Sequence, residues 1–135
     1  MFQATKSGGE KEKVTDKKIL VIDDEDDIRQ LIQTCLEIMG GWQVLTARSG
    51  KEGLICAINE QPNAILLDVM MPDEDGLTTL QKLQNHSATS SIPVVLLTAK
   101  GRFVEQKFTE LGVKAVLNKP FNPLRIADQI AAVLN

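Results

Sequence analysis

Five short apolar runs, each followed by a stretch of helical periodicity, leave this chain few folds to adopt. Lys18-Ile-Leu-Val-Ile-Asp23 is a continuous run rich in β-branched residues, as expected of a strand buried on both faces. Ile28, Leu31, Ile32, Cys35, Leu36 and Met39 then recur at helical spacing, and Gly40-Gly41 stops that helix. Trp42 to Leu45 reads as a second strand, and Leu54, Ala57 and Ile58 mark a second helix that ends before Pro62. Ala64-Ile-Leu-Leu-Asp68 is a third buried strand, followed by a helix marked by Leu77, Leu80 and Leu83. Ile92-Pro-Val-Val-Leu-Leu97 is a fourth strand, its proline near the start, where a missing N–H is tolerated. Val104, Phe108 and Leu111 mark a fourth helix closed by Gly112. Val113 to Leu117 is a fifth strand, and Leu124, Ala127, Ile130 and Leu134 mark a last helix. Strict alternation with two-sided apolar strands predicts an α/β fold: a five-stranded parallel sheet with helices on both faces.

The length of 135 residues fits one domain at about 150 residues each, with a core large enough to fold without disulfides. Cys35 and Cys56 fall inside apolar patterns and form no metal spacing, which points to reduced cysteines in a cytoplasmic protein. The formal net charge is -3, from 15 basic and 18 acidic side chains, and argues against binding nucleic acid by bulk electrostatics. No apolar run approaches the roughly 18 residues of a membrane helix, so no membrane partner is expected. Residues 1–17 are polar and aperiodic and read as a flexible arm without a secretory signal. The domain proper is placed at residues 18–135.

In open parallel sheets, ligands bind outside the carboxyl ends of the strands. The first strand ends in Asp23-Asp24, the third in Asp68, the fourth in Thr98 and the fifth in Asn118-Lys119-Pro120. Three carboxylates, a hydroxyl and an ammonium group therefore converge on one rim. Three like charges at close range are costly unless positive charge sits among them. Lys119 supplies one such charge, and a divalent cation would supply two more. All-oxygen ligands with open positions suit Mg²⁺ or Mn²⁺, which retain water and accept a phosphate oxygen. Asp68, at the end of a central strand, is placed to attack a phosphoryl group as a nucleophile. Lys119 would stabilise the developing charge, and the Thr98 hydroxyl would donate to a phosphoryl oxygen only once that oxygen is present. Asp26 and Asp27 have a plainer explanation, since acidic residues at a helix start gain about 0.3–1 kcal/mol from the helix dipole.

Four segments carry a family resemblance: Val21-Ile22-Asp23-Asp24-Glu25, Leu66-Leu67-Asp68-Val69-Met70-Met71-Pro72 with Gly76 following, Leu96-Leu97-Thr98-Ala99, and Asn118-Lys119-Pro120-Phe121. Each is weak alone. In order and at strand ends, they make residues 18–135 resemble the receiver domain of bacterial two-component response regulators, close to the single-domain chemotaxis type. The resemblance implies the doubly wound, flavodoxin-like (βα)5 arrangement. It implies that Asp68 accepts a phosphoryl group from the phosphohistidine of a sensor histidine kinase or histidine phosphotransfer protein. Asp24, Asp68 and the backbone carbonyl of Met70 would bind Mg²⁺ directly, with Asp23 acting mainly through water. Lys119 would pair with the carboxylate and then the phosphoryl group, Thr98 would be the switch hydroxyl, and Ala99 would keep the mouth of the site small. The Lys119-Pro120 bond would be cis and aim the lysine inward. Such a protein is a signalling phospho-acceptor that catalyses its own phosphotransfer and dephosphorylation, and it is not an enzyme with a separate substrate. Its downstream target would be a protein, met through the helix around Val104–Leu111, the fifth strand and the last helix.

Two features depart from the family pattern. The position three before the lysine usually carries Tyr, Phe or His, whose rotamer change accompanies the threonine; here it is Val116, which has no ring to swing inward. The two positions that tune dephosphorylation are Met70 and Lys100, and Met70 cannot orient an attacking water, so the phosphoryl lifetime is expected not to be among the shortest. A phosphohydrolase of the haloacid-dehalogenase type would want a second aspartate where Met70 stands. A phosphorylation-independent module would lack an acid, the hydroxyl or the lysine, and all are present; a relay intermediate stays open. There is no G-x-G-x-x-G and no P-loop motif. His86, in a polar loop, reads as a surface residue, Trp42 as core or rim, and Phe103 as either core or partner contact.

Overall fold

Residues 16–71, 76–99 and 110–134 are described by the computed structural model. The strands are β1 (Lys18–Ile22), β2 (Gln43–Ala47), β3 (Ala64–Asp68), β4 (Val94–Ala99) and β5 (Ala115–Lys119). The helices are α1 (Asp26–Cys35), which widens into a π-turn over Leu36–Gly40, α2 (Gly50–Glu60), α3 (Gly76–Asn85) and α4 (Ile126–Leu134). One sheet holds all five strands in the order β2-β1-β3-β4-β5, and every neighbouring pair is parallel. The strand order reverses between β1 and β3, and a crevice opens at the carboxyl ends of such a pair.

Burial on both faces, with side chains alternating between them, explains why Ile19–Ile22 of β1, Ala64–Leu67 of β3 and Val94–Leu97 of β4 are all apolar. Ile19 and Val21 of β1, Leu66 of β3, and Val95 and Leu97 of β4 face one layer, with Ile32 and Leu36 and with Ile126 and Ile130 of α4. Leu20 and Ile22, Ile65 and Leu67, and Leu96 face the other layer, with Ala57 of α2 and Leu80 and Leu83 of α3. Each of the leucine, isoleucine and valine side chains, fully buried, contributes about 1.5–3 kcal/mol. Close packing also selects a glycine: a Cβ at Gly53 of α2 would stand 2.3 Å from Cδ1 of Ile22.

Several boundaries differ from those the periodicity predicts. β2 starts at Gln43, one residue after Trp42, which is a buried core residue. β4 and β5 run two residues further than the apolar runs do, so Thr98 and Lys119 lie within strands. The ladder sets these limits: Thr98 pairs with Asn118 and Ala99 with Lys119, and β5 is an edge strand that tolerates polar residues. The expected apolar stripe is wider than the face that is buried, since Leu31 and Met39 are both exposed. Leu124 is 72 % exposed and precedes α4, because Asn122 Oδ1 accepts a 2.9 Å hydrogen bond from its N–H and forms a turn there. Of the fourth helix, only Glu110 and Leu111 lie within the described residues, and Gly112 at φ 77° ends it. Val104, Phe108, Phe103, Lys100, Pro72 and most of the N-terminal arm fall outside the described residues.

Candidate functional site

The carboxyl ends of β1 and β3 bring two acids under cover. The Asp23 N–H donates to the Ala47 carbonyl (3.1 Å), one step past the β1–β2 pairing, and its side chain is wholly buried. Its Oδ1 accepts from the Glu25 N–H (2.9 Å), and its carbonyl accepts from Arg29 Nη1 (2.9 Å). Its Oδ2 has no partner among the described residues. Asp68 is equally buried: Oδ1 accepts from the Met70 N–H (2.8 Å), and Oδ2 meets Lys119 Nζ at 3.2 Å. The turn after β3 is held against α3 by Gly76, where a Cβ would stand 2.3 Å from Val69 Cα and 2.7 Å from the Asp68 carbonyl oxygen.

Lys119 reaches the site from β5, through a strand end whose bond to Pro120 is cis. Its ammonium group is shared between Asp68 and Glu25, 3.2 Å from each. Burial alone would lower its pKa, but the charges of Asp68 and Asp23 outweigh that and raise it. Burial pushes the Asp23 carboxyl up to about 7, opposed by the Glu25 N–H and reinforced by Asp68. Asp24 is raised too, first by partial burial and then by Asp68 and Glu25. Asp26, at the helix start, is lowered by its pairing with Arg29, in keeping with a role at the α1 terminus.

The structure thus brings Asp23, Asp68 and Lys119 into one cluster at the sheet rim. Thr98 is fully buried in the neighbouring β4, and its Oγ1 has no hydrogen-bond partner among the described residues. The tightest acidic group differs from the expected one. Carboxylate oxygens of Asp23, Glu25 and Asp68 lie within 4.8 Å of one another, while half-exposed Asp24 stands outside that group. Glu25 is the residue that sequence reasoning missed. It stands in the acidic run at the N-cap of α1, a position Glu seldom fills, and that mismatch was the available signal. Val116 is half-buried and packs against the layer that holds Leu20, Ile65 and Leu96. His86 is exposed, its Nδ1 accepting from the Ala88 N–H within its own loop.

A donor set made only of oxygens, with one buried carboxylate oxygen unpartnered, fits a hard divalent cation. The unpaired Thr98 hydroxyl fits an acceptor that arrives with a ligand.

The family model of the response regulator receiver domain matches residues 19–131. The probable transcriptional regulator ycf27 of Porphyra purpurea is 40% identical over 119 residues, which cover 87% of this chain and 47% of that protein. The alkaline phosphatase synthesis transcriptional regulatory protein PhoP of Bacillus subtilis is 39% identical over 119 residues, 87% of this chain and 48% of that protein. The chain therefore spans about half the length of these curated relatives. Among solved structures, the chemotaxis response regulator CheY4 of Vibrio cholerae superposes with a TM-score of 0.77 at 29% identity, over 87% of this chain and 98% of that one.

Proposed function

Since the chain belongs to the response regulator receiver domain family, we propose that Asp68 is its phospho-acceptor and that a phosphohistidine-bearing protein is the donor. The observation that carries this reading is the state of Asp68: a buried carboxylate with one oxygen on a backbone N–H and the other on Lys119. An Asp68 oxygen attacks phosphorus as the P–N bond of the donor's imidazole breaks. The electron pair of that bond returns to the imidazole nitrogen, which takes a proton. Lys119 gives positive charge to the transferring group, and Thr98 Oγ–H donates to a phosphoryl oxygen it cannot reach before transfer. Both contacts are stronger after transfer than before, which makes the site a switch. With Val116 in place of an aromatic ring, Thr98 is the group through which the change leaves the site.

Asp23, Asp24, Asp68 and the Met70 carbonyl are the groups that would hold Mg²⁺ or Mn²⁺, with Glu25 at the rim. Such an ion, when bound, neutralises charge on the phosphoryl oxygens. An apolar groove of about 410 Å³, lined by Ile28, Leu31, Pro120 and Phe121, opens beside Lys119 and offers the donor protein a seat next to the acceptor. Among the described residues no helix is long and apolar enough to cross a membrane. A cytoplasmic signalling protein that passes its state to a protein target, and not an enzyme acting on a separate substrate, is the reading these features support.

Incubation with acetyl phosphate and Mg²⁺, read by intact mass, tests it. One phosphoryl adduct is expected on the native chain and none on Asp68→Ala. No adduct on either, with the metal present, would favour a module that works without phosphorylation.

A further inference from the structure

Building on the phospho-acceptor reading, we infer that Glu25 is a positioning residue that restrains phosphorylation by holding Lys119 in a shared pair, and that the phosphoryl group must displace it.

Three observations carry this. First, Glu25 Oε1 and Asp68 Oδ2 lie at the same distance, 3.2 Å, from Lys119 Nζ, across 94 and 51 residues of sequence. One ammonium group serves two carboxylates, so neither has its full charge. Second, Glu25 occupies the N-cap of α1 but its side chain makes no capping hydrogen bond, whereas Ser49 at the N-cap of α2 accepts from the Glu52 N–H. The Glu25 carboxylate is turned away from its own helix and toward the site. Third, its backbone is tied down, because the Glu25 N–H donates to Asp23 Oδ1 and its carbonyl accepts from the Arg29 N–H. The side chain is anchored at its base, and at 59 % exposure it is free to leave Lys119 without uncovering an apolar surface.

A phosphoryl group on Asp68 adds negative charge within reach of this third carboxylate. Lys119 then gains more by turning wholly to the phosphoryl oxygens, and the Glu25 contact is lost. Its energy is part of the barrier and opposes the phosphorylated state.

The test compares Glu25→Gln and Glu25→Asp with the native chain, by the rate of adduct formation from acetyl phosphate at saturating Mg²⁺. Glu25→Gln should react about two- to fivefold faster, the rate equivalent of the ~0.4–1 kcal/mol that a half-exposed pair contributes. Glu25→Asp keeps the charge but shortens the arm, and should be nearly as fast if contact with Lys119 is what restrains the site. Both differences should shrink at about 0.5 M salt, which screens an exposed carboxylate. Melting temperatures of the three chains exclude a fold defect. Equal rates for Glu25→Gln and the native chain would overturn the inference. So would Glu25→Asp matching the native chain, which would reduce the effect to repulsion of an anionic donor. A slower Glu25→Gln that needs more Mg²⁺ would overturn it as well, and make Glu25 a cation ligand. No adduct on any chain would instead overturn the phospho-acceptor reading, and the inference with it.

Discussion

The two halves of the sheet are built differently around the same site. In β1 and β3, every position after Lys18 and before the terminal acid is apolar and buried, and Asp23 and Asp68 are each fixed by a backbone N–H two residues on. In the β4–β5 half, β5 is an edge with exposed or half-buried positions, and its contributions are a shared lysine and an unpaired hydroxyl from β4. One half presents acids that cannot move, and the other presents groups whose partners can change. Burial and local hydrogen bonds make the first rigid at a cost in charge desolvation. A shared partner for Lys119 and none among the described residues for the Thr98 hydroxyl leave these two groups able to respond to a ligand.

The largest expected contrast is in stability. Leu66→Ala, in the centre of β3, should cost about 2–5 kcal/mol in urea unfolding. A cost below about 1 kcal/mol would show that the central half is less tightly packed than its burial implies.

The second effect is pH-dependent and specific to the acid half. Asp23 has a folded pKa of about 7 against 3.8 unexposed to the fold. The folded state therefore binds the proton more tightly. This group's destabilisation is absent below pH 3.8, grows between pH 4 and 7, and is complete above 7. It amounts to at most roughly 4 kcal/mol. Thermal melts without divalent cations should show Asp23→Asn more stable than the native chain at pH 8, with the gap closing toward pH 4. Added Mg²⁺ should stabilise the native chain and not the variant. A gap that is constant with pH would mean Asp23 is ionised at no cost.

A smaller effect belongs to the other half. Thr98→Val keeps the shape and removes a buried hydroxyl with no partner among the described residues, and should raise stability by about 1 kcal/mol while slowing or uncoupling the response to phosphorylation. A loss of stability instead would mean that the hydroxyl is already satisfied. Val116→Ala should be smallest of all, at about 1 kcal/mol or less, because the side chain is only half-buried. A larger cost would place Val116 in the rigid frame and not in the responsive half.

The alternation of apolar strands and amphipathic helices was legible residue by residue, because side-chain period is a local property of the backbone. So was the placement of Asp23, Asp68, Thr98 and Lys119, since an acid, a hydroxyl or a lysine closing an apolar run has to sit at a strand end. Boundaries were less legible. Thr98 and Lys119 belong to strands because of their partners across the ladder, and Leu124 stands outside α4 because Asn122 turns the chain first. Nothing local reveals a partner 94 residues away, so the Glu25–Lys119 pair was hidden. The sequence by itself therefore determined the buried side chains of the central strands and which residue types close each strand. Only the tertiary structure decided that β1 lies between β2 and β3, that Asp23 and Asp68 share one crevice, and which carboxylates divide one lysine. Strand order and ion pairing depend on distances between segments far apart in the chain, and local periodicity carries no information about those.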